Sequence, residues 1–155
     1  MEHLELCLCV NLTEVKISTR MDYPAQKYFD NLRNVVIGDC RSLSNVTWLI
    51  YAPKLETLEL RNCVSLREII EYKLGRKATF SSLKVLRLVR LPLLRRIYWH
   101  VVLSFPSLKK MEVLKCPHLQ EQPFAFYGAK NCLIHGHKMW WDSLRWEDEE
   151  VKASF

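Results

Sequence analysis

Glycine and proline are scarce in this chain: four glycines and six prolines among 155 residues. That composition excludes a linker-rich or disordered segment, which needs few apolar and many chain-breaking residues. No apolar run approaches the roughly 18 residues that a membrane-spanning helix needs, so no span is expected. The opening MEHLELCLCV has no positively charged region ahead of its apolar residues. A secretory signal is therefore not expected, and the cytoplasm is the expected compartment. None of Gly38, Gly75, Gly128 and Gly136 belongs to a G-x-x-x-x-G-K-[ST] loop, and GRKAT after Leu74 is only a basic loop, so P-loop nucleotide binding is absent. Cys132, His135 and His137 lie close together, on the same face of an expected strand for the two histidines. A structural zinc site needs four ligands, usually as two separated pairs, and no second pair stands out. No metal and no cofactor are expected. The serines fall mostly in turn positions such as Ser81, Ser82 and Ser107, with no nucleophile–base pair among them, and no enzyme is expected.

What the chain does have is apolar residues, 49% of the total, in a pattern that repeats. A length of 155 residues fits one domain. In LETLELRNCVSLREI the apolar positions are Leu55, Leu58 and Leu60, then Cys63, Leu66 and Ile69. Leu58-x-Leu60 alternates as a half-buried strand does, and the following steps of three suit a tight 3₁₀-like return. One strand and one return, all pointing inward, make one coil of a solenoid. The unit recurs as Leu32, Val35, Ile37, Cys40, Leu43; as Leu83, Leu86, Leu88, Leu91, Leu94; and as Leu108, Met111, Val113, Cys116, Leu119. The first leucines are 23, 28 and 25 residues apart, inside the range of roughly 20–29 for leucine-rich repeats. Near the start two registers are open: Leu12, Val15 and Ile17 as a strand, or Leu4, Leu6, Cys9 and Leu12.

Cys40, Cys63 and Cys116 hold the same place in three coils, and Leu91 holds it in the fourth. Leucine-rich repeats carry Asn or Cys there. Turned inward, the side chain offers its polar group to backbone carbonyls freed where the strand ends, which would otherwise stay buried and unpaired at about 1–3 kcal/mol each. These residues form a structural ladder. A disulfide framework is not expected in a chain this long without an export signal.

Between the buried positions of each strand lie outward ones. They put Asn34 and Val36 on the concave face, then Thr57, Glu59 and Arg61, then Val85, Arg87 and Val89, then Lys110, Glu112 and Leu114. The formal charge is +6, which raises nucleic acid as a partner. The concave row is nevertheless mixed in sign and partly apolar, and Arg90, Arg95 and Arg96 fall in the return segment. A protein partner suits that row better than nucleic acid does. Arg87, flanked by Val85 and Val89, is its most anchor-like residue.

The stretch VTWLIYAPKLETLELRNCVSLREII from Val46 to Ile70 resembles the terminal repeats of plant intracellular immune receptors of the coiled-coil, nucleotide-binding, leucine-rich-repeat family. So do LPLLRRIYW followed by FPSLKKMEVLKCPHL, and the closing WWDSLRWEDE. The resemblance covers essentially the whole chain and implies a role in plant disease resistance. It implies that the repeats recognise a pathogen effector or a guarded host protein and hold the nucleotide-binding domain of the same receptor inactive. That domain and the coiled coil are not in these residues, so nucleotide exchange cannot be assigned to them, and the chain is expected to be a fragment or a truncated product.

The expected fold is an α/β solenoid, a leucine-rich-repeat horseshoe fragment. It has short parallel β-strands on the concave face, irregular or 3₁₀ convex returns and a C-terminal Trp-rich cap. Repeats are expected over residues 1–128, about five coils, and a capping segment over 129–155. In the latter Trp140, Trp141 and Leu144 have helical spacing, with Asp142 and Glu147 to Glu150 left for solvent. Terminal units of a solenoid must cover the core that stacking leaves open. Two other functions stay open from the residues alone: a substrate-adaptor repeat domain of a ubiquitin ligase, and nucleic-acid binding through basic returns.

Overall fold

A computed structural model describes residues 1–17, 29–71, 80–98, 105–120 and 132–145. Its main feature is a parallel sheet of six short strands: β1 (His3–Cys7), β2 (Asn34–Gly38), β3 (Thr57–Arg61), β5 (Val85–Val89), β7 (Lys110–Leu114) and β8 (Leu133–Gly136). The intervening β4 (Glu68–Ile70) and β6 (Arg96–Tyr98) form a second, two-stranded parallel sheet on the return side. Each chain turn thus adds one strand to the large sheet, and the result is a parallel-strand solenoid with little helix.

The register follows the alternation. Leu4 faces Val35, Val35 faces Leu58, Leu58 faces Leu86 and Leu86 faces Met111. Two residues on, Leu6, Ile37, Leu60, Leu88 and Val113 make the next inward row. From β2 to β7 these residues are essentially without solvent contact. A one-residue slip would carry every one of them to the opposite face, so the pattern fixes the pairing.

Unequal coil lengths are absorbed outside the strands. The residue three before each leading leucine forms an aromatic column: Phe29, Phe80 and Phe105, with Ala52 in the remaining coil. Phe80 and Phe105 stack with ring centroids 5.9 Å apart. Where Ala52 leaves room, Trp48 from the 3₁₀ turn Thr47–Tyr51 meets Phe29 at 5.1 Å. The returns carry their own rows, Leu43, Leu66, Leu94 and Leu119, then Val46, Ile69 and Ile97, all buried. Their backbones are linked: Ser44 N–H donates to the Thr13 carbonyl, Arg67 N–H to Ser44 and Arg95 N–H to Arg67. An irregular or 3₁₀ return therefore holds for Thr47–Tyr51, but at β4 and β6 stacking of two adjacent returns produces strands instead.

That linkage also settles the first coil. Leu4, Leu6, Cys9 and Leu12 take the inward positions, whereas Leu12, Val15 and Ile17 lie on the return and do not form a strand. Thr13 is the partner of Ser44, which is a return position, and this places the following residues outside the sheet.

At the other end β8 pairs with β7 and is followed by α1 (Lys138–Ser143). His137 lies beyond β8, and its Nδ1 accepts the Met139 N–H as the cap of α1, so it does not share a strand face with His135. Trp140 is buried; its indole N–H donates to the Leu119 carbonyl at 2.8 Å and its ring meets Trp141 edge-on. A Cβ at Gly136 would come within 2.6 Å of the Trp140 ring, so only glycine leaves room for that indole. Asp142 is paired with Lys138 at 2.6 Å. Trp146 and Glu147 to Glu150 lie outside the described residues, as does the boundary between 128 and 129.

Candidate recognition surface

The outward positions of the strands make three rows across the sheet. The first is His3, Asn34, Thr57, Val85, Lys110 and Leu133; the second is Glu5, Val36, Glu59, Arg87, Glu112 and His135. The third is Cys7, Gly38, Arg61, Val89 and Leu114. Every residue of the concave row expected from sequence is found on this face: Thr57, Glu59, Arg61, Val85, Arg87, Val89, Lys110, Glu112 and Leu114. Repeat geometry brings them together because each strand enters at the same height.

Their charges are tied to one another. Arg87 lies between Glu59 at 2.9 Å and Glu112 at 3.4 Å. Arg61 reaches Glu59 at 3.4 Å and Glu5 at 3.9 Å, and Lys110 reaches Glu112 at 3.9 Å. Glu112 is 7% exposed, so its carboxylate is mostly withdrawn from water and depends on Arg87. The sequence reading left Glu112 on an open surface and Arg87 as a free anchor. Instead Arg87 joins two acids, because the register sets an arginine between glutamates of both neighbouring strands.

A second set of pairs was not foreseen. Just before the strands, Glu56 is bound by Lys84 at 2.7 Å and by Arg33. These cations hold the Glu56 carboxyl below the ordinary glutamate range, with the Lys84 hydrogen bond the largest cause. On the return side Arg96 reaches Glu68 at 3.6 Å. Glu56–Lys84, Glu59–Arg87 and Glu68–Arg96 all span 28 residues, the length of one coil. A search for acid and base at the repeat offset would have found them.

The thiol ladder lies on the opposite side of the sheet. Cys40 Sγ donates to the carbonyls of Gly38 (3.4 Å) and Leu6 (3.6 Å), Cys63 to those of Arg61 (3.4 Å) and Ile37 (3.9 Å), and Cys116 to those of Leu114 (3.5 Å) and Leu88 (3.6 Å). Each thiol thus reaches one carbonyl of its own coil and one of the coil before. Cys9 makes the same contact with the Cys7 carbonyl, three residues after Leu6 as in the register Leu4, Leu6, Cys9 and Leu12. Leu91 fills its rung with an apolar side chain and is buried. Burial pushes the Cys63 and Cys116 thiols up to about 11. All six cysteines are free thiols. Among the described residues no group of three or more His, Cys, Asp or Glu is arranged to hold a metal; Cys132 is buried, while His135 and His137 are exposed. Among those residues, too, no helix is long and apolar enough to cross a membrane.

A stack of parallel strands, a leucine core and a ladder of thiols after most of the strands define a leucine-rich-repeat protein. The chain belongs to the RPS2-like family of plant disease resistance proteins, whose leucine-rich-repeat model matches residues 2–132. It is similar to several proteins of Arabidopsis thaliana. The putative disease resistance protein At4g10780 is 32% identical over 92% of this chain and 18% of its own length. The probable disease resistance protein At5g63020 is 35% identical over 83% and 15%. The disease resistance protein RPS5 is 31% identical over 93% and 18%. The chain therefore spans about a fifth or less of the length of the curated relatives it matches. No solved structure matches it.

Proposed function

We propose that this chain is the protein-recognition and regulatory repeat region of a plant immune receptor. It contributes to recognising a pathogen effector or a guarded host protein, and to holding the nucleotide-binding domain of the same receptor inactive, within the cytoplasm. It acts by contact and not by chemistry. The observation that carries this reading is the outward face of the six-stranded sheet, where charged and half-buried apolar side chains stand in fixed rows and ion pairs hold their directions. Such a surface can vary residue by residue while the inward rows keep the coil folded. The contact residues are Thr57, Glu59, Arg61, Val85, Arg87, Val89, Lys110, Glu112 and Leu114. Residues 1–128 are the repeats. Residues 129–155 are the cap, a role supported by buried Trp140 and Leu144.

The test places substitutions of Arg87 and Lys110 in a complete receptor and scores cell death in a leaf with and without the elicitor. Recognition should be lost, or inhibition released, at unchanged protein level. An effect confined to Arg95 on the return side would overturn the assignment.

A further inference from the structure

Each turn that leaves β1, β2, β3, β5 or β7 contains one residue in the left-handed region: Leu8, Asp39, Asn62, Arg90 and Lys115, with φ between 53° and 58°. Asp and Asn tolerate that conformation better than most side chains do. Asp39 and Asn62 also gain from it, since the Asn62 amide donates to the Asp39 carboxylate at 3.0 Å. Arg90 and Lys115 have no such tolerance, and their side chains have no hydrogen-bond or ion-pair partner among the described residues. The repeat itself sets this backbone conformation, since the N–H of Leu8, Asp39, Asn62 and Arg90 each donates to a carbonyl of the next strand, so the choice of a cation at Arg90 and Lys115 is left to the surface. Lys109 repeats the theme at the other end of β7. It follows Arg33, Glu56 and Lys84, which pair with one another, yet has no partner among the described residues.

From Phe80 to Gln120 the chain has eight lysines and arginines and one acid, Glu112, which is already bound by Arg87. Between the unpaired cations lie Val89 and Leu114, half-buried and outward. We propose that the outward face of β5 and β7, edged by Arg90 and Lys115 on one side and Lys109 on the other, binds an acidic polypeptide segment that also carries apolar side chains. This rests on the reading that the face recognises protein, and adds the chemistry of the partner. Nucleic acid fits less well, because neither strand offers an aromatic platform for base stacking.

The test uses the full chain with three labelled probes in about 0.15 M salt: a short peptide alternating Glu and Leu, its Lys and Leu counterpart, and a single-stranded oligonucleotide. Arg90→Asn combined with Lys115→Asn should weaken binding of the acidic peptide by about tenfold or more. The same variant should raise Tm by about 2 °C or more, since left-handed strain is relieved. Lys109→Asn should weaken binding at unchanged Tm, and Arg41→Asn with Arg67→Asn should change neither. Binding that survives loss of Arg90 and Lys115, a fall in Tm for that variant, or tighter binding of the oligonucleotide or the basic peptide would each overturn the proposal. Because the readout is direct binding, a silent leaf assay with intact peptide binding counts against the receptor role and not against this surface.

Discussion

Residues 29–71 and the described residues of 80–120 each supply two successive strands of the large sheet, β2 and β3 in the first and β5 and β7 in the second, and they share one core. Leu58 and Leu60 in the first region correspond to Leu86 and Leu88 in the second, all fully buried. Their surfaces differ: five lysines and arginines against six acids in the first, eight against one in the second. The inward rows are constrained by packing, so they stay alike, whereas outward charge is free to diverge. Where the regions meet, three acids of the first are bound by three cations of the second, each pair one coil apart. The seam therefore compensates part of the imbalance, and Arg90, Arg95, Lys109 and Lys115 carry the remainder.

The largest effects should show that the core does not respect this division. Leu60→Ala and Leu88→Ala both remove fully buried side chains and should each cost about 2–5 kcal/mol in denaturant melts. A large loss in one region and none in the other would mean that the two do not share a core. Next comes Gly136→Ala, whose new methyl collides with the Trp140 ring. A loss of about 1–3 kcal/mol is expected from this overpacking, with altered Trp fluorescence as the check.

A comparable effect is expected from pH. The ordinary thiol value is near 9, and Cys63 and Cys116, one in each region, are both raised to about 11 by burial. A raised folded value means that the unfolded chain releases its protons first. The contribution is whole below pH 9 and is lost as pH rises from 9 to 11. Melts across that range should show falling stability, and Cys63→Ala with Cys116→Ala should flatten the decline. The smallest effect should be Arg41→Ala, an exposed side chain in the first region, within about 0.5 kcal/mol. A larger change would mean that the surface contributes more than packing allows.

Much of this was legible in sequence. Alternation gave the strands β2, β3, β5 and β7, and the recurring step of three after each strand gave Cys40, Cys63, Leu91 and Cys116. The first coil was not resolved because Leu12 fits either register; the pairing of β1 with β2 and the backbone link from Thr13 to Ser44 decide. The β4–β6 sheet and the Phe column were missed because they arise between coils. Coil steps of 23, 28 and 25 residues hide any column that is not anchored to a leucine. Arg87 was read correctly as outward. Its role as a clamp on Glu59 and Glu112 depends on which residues stand opposite, which one strand alone cannot show.

The register at the seam is the claim on which both the ion pairs and the recognition surface depend. A double-mutant cycle on Glu59→Ala and Arg87→Ala, read by denaturant unfolding, tests it most directly. Paired across β3 and β5 at 2.9 Å, the two residues should couple by about 0.5 kcal/mol or more. Losses that add to within about 0.3 kcal/mol would contradict the register.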